Sequence, residues 1–246
     1  MPSVSRRSFH PFNVAILVAA LTASGCIDSL VGNGAIVREN RDINVAVTDV
    51  SVEDGFQLEL NTDPSAIAPS LTIETDSNLI VHAQARIEGN TLRLYNSSHH
   101  ALIPTHAVQI WLTLPSAQEV HASGGSSANI STGVAPHMEL EASGGSEIVL
   151  NGEIAHLVAH ASGGSRVALH GAGGTIVVQA SGGSVVRAAS YSALDGELDG
   201  SGGSDLDLCV TRALYGELSG GSTLEYYCQP DTVNVAQSGG SRATPH

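Results

Sequence analysis

The tetrapeptide Ser-Gly-Gly-Ser occurs seven times in the second half of the chain, beginning at Ser123, Ser143, Ser162, Ser181, Ser201, Ser219 and Ser238. The gaps between copies are 20, 19, 19, 20, 18 and 19 residues. A period this short and steady belongs to repeat architectures, in which each unit packs only on its neighbours. Five residues after the first Ser stand Ala128, Ile148, Val167, Val186, Leu206 and Leu224, and seven after it Ile130, Leu150, Leu169, Ala188, Leu208 and Tyr226. Between them are mostly polar or small residues. Upstream, Val120, Leu140, Ala159, Val178 and Leu198 lie three residues before the tetrapeptide, and Ala122, Ala142, Ala161 and Ala180 one before. Period-two alternation of this kind marks strands with one buried face. Each repeat therefore reads as two short strands flanking a Gly-Gly bend, followed by a looser middle.

A unit of 19 residues cannot bury an apolar face alone, whereas stacked windings about 4.8 Å apart bury all such faces together. Parallel strands joined by crossovers are right-handed in about 98% of cases. The expected fold is all-β: a right-handed, single-stranded parallel β-helix, or solenoid, with rungs of ~19 residues. Aromatic residues are only 4% of the chain, which suits a narrow interior of Val, Leu, Ile and Ala. The Gly-Gly pairs supply positive φ or close backbone approach at the bend. The inward parity runs through the bend without interruption. The second Ser column (Ser126, Ser146, Ser165, Ser184, Ser204, Ser222, Ser241) is thus expected to point inward as a stacked hydroxyl ladder.

Residues 35–115 lack the tetrapeptide but carry strand patterns over Val45–Val52, Phe56–Leu60, Leu71–Glu74, Leu79–Ala85, Thr91–Tyr95 and Val108–Leu114. Turn signals separate them, among them Glu53-Asp54-Gly55 and Asp76-Ser77-Asn78. One solenoid domain over 35–246 is expected, with less regular rungs over 35–115 and Ser-Gly-Gly-Ser rungs over 116–246. Ser97–His106 reads as a protruding loop. The last rung, left uncovered, is a β-pairing hazard that either an edge charge such as Arg242 blunts or a partner covers, end-to-end self-association being one such cover.

The first 25 residues read as an address. Arg6-Arg7 precedes a short apolar run, Val14–Leu21, and small residues lead to Cys26, as in a signal peptide. Ala23-Ser24-Gly25-Cys26 is similar to a bacterial lipobox, with Ala23 where Leu is usual, so Cys26 is the expected lipidation site. An ordinary signal-peptidase site is the alternative. Ser5-Arg6-Arg7-Ser8-Phe9 also resembles a twin-arginine export motif. Residues 26–34 then form a tether to a membrane partner. Ile27 in place of Asp favours the outer membrane in a Gram-negative envelope.

Without Arg6 and Arg7, eight Arg face twenty-four Asp and Glu, a formal charge of −16. No Lys occurs, and the absence of a basic stripe excludes nucleic acid as a partner. Cys209 and Cys228 lie 19 residues apart, one full rung, within disulfide reach in an oxidising compartment. A rung-to-rung disulfide is expected.

Candidate chemistry is sparse. The outward column His121, Glu141, His160, Gln179, Asp199, Glu217 contains metal-ligand types, but a column points side chains in parallel instead of converging them, so a solvated polar ladder is expected and no metal. Asp205 is not repeated in the other rungs, which argues against calcium. Asp195, Asp199, Asp205 and Asp207 form the one acidic cluster, without the Lys or aromatic platform of a polysaccharide lyase. No Ser/His/Asp nucleophile arrangement is present. No catalytic residues and no cofactor are expected.

Gly34-Ala35-Ile36-Val37-Arg38-Glu39-Asn40-Arg41-Asp42-Ile43, then Asp76-Ser77-Asn78-Leu79, Gly89-Asn90-Thr91-Leu92-Arg93-Leu94, Val108–Pro115 and the Gly-Gly coil follow the order of segments in head GIN domain proteins. The chain resembles that auto-transporter adhesin-like family over most of its mature length. The resemblance implies a right-handed β-helix on a bacterial envelope, often a lipoprotein, with no catalytic residues. The regular Ser-Gly-Gly-Ser array departs from it. The reading is a non-enzymatic envelope lipoprotein that presents a solenoid surface for adhesion or for binding a glycan or protein partner. The alternatives are a carbohydrate-active enzyme on the same coil and a structural spacer.

Overall fold

The computed structural model describes residues 28–246. The expected signal peptide over 1–25 and the expected lipidation site Cys26 lie outside the described residues. Among those described, no helix forms. Eighteen strands follow one another: β1 (Ser29–Val31), β2 (Ile36–Arg41), β3 (Asp49–Val52), β4 (Gln57–Thr62), β5 (Ser70–Asp76), β6 (Ala83–Glu88), β7 (Thr91–Asn96), β8 (Ala101–Ile103) and β9 (Gln109–Leu114). The rest are β10 (Glu119–Ala122), β11 (Ser127–Ala142), β12 (Glu147–Ala161), β13 (Arg166–Ala180), β14 (Val185–Gly200), β15 (Asp205–Leu218), β16 (Thr223–Tyr227), β17 (Thr232–Gln237) and β18 (Arg242–Pro245). They build a β-solenoid of about seven turns.

From β11 to β15 each winding pairs in parallel with the next, with Ala128, Ile148, Val167 and Val186 in one register column. These columns are buried, as are Ile130, Leu150, Leu169, Ala188 and Leu208 beside them. The expected loose middle is instead strand: β11 to β15 run 16, 15, 15, 16 and 14 residues without a break. The backbone there bends through register irregularities and glycines while keeping its ladder bonds. The middle also carries a large aromatic side chain, which a narrow interior was not expected to admit. Tyr191 is fully buried, its hydroxyl donating to Ile154 O at 2.9 Å. It fits because its in-register neighbour is Gly171 and because a methyl group at Gly173 would meet its hydroxyl. Burial pushes the Tyr191 phenol up to about 12.

At each corner both glycines have positive φ, for example +63° at Gly163 and +77° at Gly164. The second Ser donates its N–H back to the first Ser carbonyl, as Ser165 N does to Ser162 O at 3.3 Å. Two positive φ values in succession make a tight left-handed turn that needs almost no width. The parity is therefore restored directly after it. Ser126, Ser146, Ser165, Ser184, Ser204 and Ser222 are buried as expected. Their hydroxyls bond chiefly to corner carbonyls, not to one another. Ser146 Oγ, for instance, donates toward Ala122 O at 2.6 Å and Ser143 O at 2.7 Å and accepts from Ser143 N at 3.0 Å. Only Ser204 and Ser222 are bonded hydroxyl to hydroxyl, at 3.1 Å. The column thus satisfies backbone groups that a sharp bend would otherwise bury unpaired.

The amino-terminal part departs from a simple coil in two ways. First, windings do not pile in chain order. The winding β3–β4 lies between β7–β9 on one side and β10–β11 on the other. Its bend, Glu53-Asp54-Gly55-Phe56, is a further copy of the corner, with φ of +61° and +77° and Phe56 N bonded to Glu53 O. Second, the outer strands are antiparallel: β6 on β7, β5 on β9 and β2 on β5. The parallel rungs expected over 35–115 are corrected to this extent. Residues 79–82 form a turn, not a strand, because His82 N and Ala83 N bond back to Leu79 O.

The segment 26–34 is not a free tether from Ser29 onward. β1 pairs in parallel with β8, inside the expected loop 97–106. Both strands are pinned just beyond their ends by Asp76, whose buried carboxylate accepts Gly34 N at 2.6 Å and Thr105 N and Oγ1 at 2.8 Å each. Burial pushes the Asp76 carboxyl up, but these bonds outweigh it and hold it below the usual range.

Candidate ligand surface

Two long outward faces flank the corner. On the face before it, β10 places Glu119 in register with Asp49 and Glu139 on the neighbouring windings. Burial and then the nearby Glu139, Asp49 and Glu141 raise the Glu119 carboxyl. His121 pairs with Glu141 at 3.1 Å, and His160 pairs with Glu139 at 3.3 Å. The histidine column is thus drawn into two separate His–carboxylate contacts. Among the described residues, no three His, Cys, Asp or Glu side chains are grouped to hold a metal ion. Nearer the end of the stack, Arg93 grips Glu53 through two bonds of 2.6 and 2.8 Å and holds its carboxyl low.

The acidic cluster near the carboxyl end is divided. Asp205 and Asp207 both lie against Arg187, with Asp207 also accepting Ala188 N and Ala189 N. Asp195 is paired with Arg212 on another side of the coil. Asp199 stands on the face before the corner, beside Glu217. Arg187 and Arg212 thus offset part of the cluster's charge. Arg166 and Glu147 stand 3.9 Å apart on exposed surface, where an ion pair is worth little.

Cys209 and Cys228 are joined as a disulfide across Cα atoms 5.1 Å apart. Cys228 and Gln229 both have positive φ, so the bond fastens the chain where β16 ends and the irregular segment before β17 begins.

The face after the corner has a different composition, and its core is the chain's one tryptophan. In β9, Ile110 and Leu112 point inward, so Trp111 points outward, half-buried. Across the strands the outward row reads Asn40, Thr72, Trp111, Glu59, Asn129. The next row reads Arg38, Glu74, Gln109, Gln57, Ser127. The Arg38 guanidinium lies 4.4 Å from the Trp111 ring centroid and donates to Glu74 Oε2 at 2.9 Å. Thr72 Oγ1 donates to Asn40 at 2.9 Å, and Asn129 Nδ2 to Glu59 at 2.8 Å. Trp111 lines an open groove of about 650 Å³ with Gln57, Gln109, Asn61, Glu59, Glu74 and His106. Amides offer donors and acceptors together, carboxylates accept, and the indole with its stacked Arg38 guanidinium adds an aromatic surface. Such a set can hold a polyhydroxylated ligand by its hydroxyls.

The sequence reading missed this surface because its members come from strands that meet only through antiparallel and out-of-order pairing. The signal available was a lone Trp at an outward parity position between two buried aliphatics.

The fold is similar to that of several solved structures. An adhesin-titled protein of Bacteroides fragilis superposes with a TM-score of 0.82 at 15% identity, covering 88% of this chain and 100% of its own. A protein of Parabacteroides distasonis titled as lipid binding gives 0.70 at 18% identity, covering 89% and 100%. An adhesin-titled protein of Parabacteroides merdae gives 0.68 at 15%, covering 89% and 99%. No curated protein matches the chain. The sequence match to a family runs over residues 46–230, most of the chain, and by it the chain belongs to the family described as "Putative auto-transporter adhesin, head GIN domain".

Proposed function

We propose that the chain is an exported, non-enzymatic cell-envelope protein, lipid-anchored at Cys26, that binds a glycan or glycan-bearing protein through the face around Trp111. The observation that carries the reading is that face itself: an outward indole set among Gln57, Gln109, Asn61, Asn129 and Glu59 on a rigid sheet. Aromatic platforms with convergent amides and carboxylates suit ligands with many hydroxyls. The family and its adhesin-titled neighbours support an envelope location. Export to an oxidising compartment would keep Cys209 and Cys228 bonded, and a lipid on Cys26 would place the domain on a membrane, the outer one in a Gram-negative cell.

Because Trp111 is the chain's single tryptophan, its emission reports directly on the face. Purified mature domain titrated with envelope glycan fractions is expected to show a saturable change in emission without release of new reducing ends. New reducing ends would support a carbohydrate-active enzyme instead, and no change with any fraction would leave a spacer. Metabolic labelling with a lipid precursor should mark the wild type and not Cys26→Ala. Sedimentation of the mature domain over a range of concentrations tests end-to-end association through β17 and β18.

A further inference from the structure

We propose that the β1–β8 ribbon is the membrane-facing surface of the anchored protein, so that the domain sits directly on the outer region of the bilayer with no spacer. The inference rests on the lipidation of Cys26 proposed above and adds to it where the domain lies and in which orientation.

Two residues, Ile27 and Asp28, separate Cys26 from Ser29, the first residue of β1. Fully extended, the three Cα–Cα steps from Cys26 to Ser29 reach about 11 Å. The acyl chains of a lipidated Cys26 therefore hold Ser29 close to the headgroups. The ribbon cannot swing away from the body, because each strand is fixed just past its end. Asn33 N bonds Asn78 Oδ1 at 3.0 Å, Asn78 Nδ2 bonds Val31 O at 2.8 Å, and Asp76 holds Gly34 and Thr105. From Ser29 onward, ribbon and solenoid are thus one bonded body.

The ribbon's outer side suits that position. Alternation sends Leu102 toward the core and leaves Val31 and Ile103, which are register partners, 60% and 51% exposed, with Ala101 also exposed. Adjacent aliphatics of this size on a two-stranded ribbon are poorly placed in water, and entering the interface of a bilayer shields them. The formal charge of −16 on the mature chain opposes approach to anionic lipid, so the contact must be apolar. The orientation proposed follows: β1 and β8 form a sheet of their own, tied through Asp76 and Asn78 to the turn after β5, at the end of the stack away from β18, and the later Ser-Gly-Gly-Ser windings project away from the membrane.

The acylated full-length protein, purified from membranes and placed in phosphatidylcholine vesicles, gives the test. With Cys209 and Cys228 bonded and Cys26 acylated, an engineered cysteine is the only free thiol. Nitroxide labels on Ile103→Cys and, as a distant control, Thr223→Cys are compared for collision with oxygen, which concentrates in lipid, and with an aqueous nickel chelate. The oxygen-to-nickel ratio is expected to be several-fold higher at 103 than at 223, and to fall to the control value when a ten-residue Gly/Ser spacer is inserted after Asp28. Equal ratios at 103 and 223 in protein whose mass shows the lipid would overturn the docking and leave the anchor intact. A mass without lipid would overturn both.

Discussion

The corner glycines look equivalent in sequence and are not equivalent in the structure. A Cβ added at Gly202 would lie 2.9 Å from Gly182 N, whereas one added at Gly203 would meet nothing within 4 Å. Both residues have positive φ, +65° and +80°, so alanine at either position carries the left-handed penalty of about 1–2 kcal/mol. Only Gly202→Ala also forces two windings apart, adding an overpacking cost of about 1–3 kcal/mol. Gly203→Ala should thus destabilise by about 1–2 kcal/mol and Gly202→Ala by about 2–5 kcal/mol. Urea unfolding of the mature domain followed by circular dichroism measures both, with the slope checked for loss of two-state behaviour, which stacked repeats can show. Equal destabilisation by the two variants would refute the idea that the first glycine is needed for close stacking. The chain supplies its own control. Asp54 occupies the first position of its corner, because no Gly-Gly turn lies beneath it, and its carboxylate accepts Asn96 N instead.

Three further outcomes are expected. Cys209→Ser with Cys228→Ser should destabilise by about 3 kcal/mol, the value for opening a loop of this length, and intact mass with and without reductant checks the bond itself. Tyr191→Phe leaves the buried Ile154 carbonyl short of a partner and should cost about 1–3 kcal/mol in the same urea assay. The Asp76 carboxyl is held low in the folded state, so its contribution is complete above the unfolded carboxyl range and is lost as pH falls through the folded value. Protection at residues 29–34 and 101–105, taken as exchange relative to the intrinsic amide rate at each pH, should accordingly fall in acid, and Asp76→Asn should remove that pH dependence while weakening protection at neutral pH.

Features that repeat were legible in the sequence. Seven tetrapeptides at one spacing place Ile148, Val167 and Val186 in a column, fix the parity of Ser146 and Ser165, and align Cys209 with Cys228 one winding apart. Features that occur once were not. The bend at Glu53-Asp54-Gly55-Phe56 reads as a turn but not as a copy of the repeat corner, because Asp54 is free of the crowding that elsewhere demands glycine. Tyr191 hides because the room for it is made by glycines on the winding before. The Trp111 surface hides for a deeper reason: its rows join β2, β5, β9, β4 and β11, an order no local pattern encodes. Antiparallel and parallel partners present the same alternation along each strand, so parity shows which residues face outward and not which strands adjoin.

The stacking order is therefore the point on which the ligand surface depends, and cross-linking tests it directly. In the structure Glu59 lies between Trp111 and Asn129, in register with both. Neighbouring parallel strands stand within disulfide range. Mild oxidation of Glu59→Cys with Asn129→Cys should form a bond found by peptide mapping, while Trp111→Cys with Asn129→Cys should not. A bond between 111 and 129 in place of 59 and 129 would mean that the windings follow chain order, and the surface around Trp111 would not exist as described.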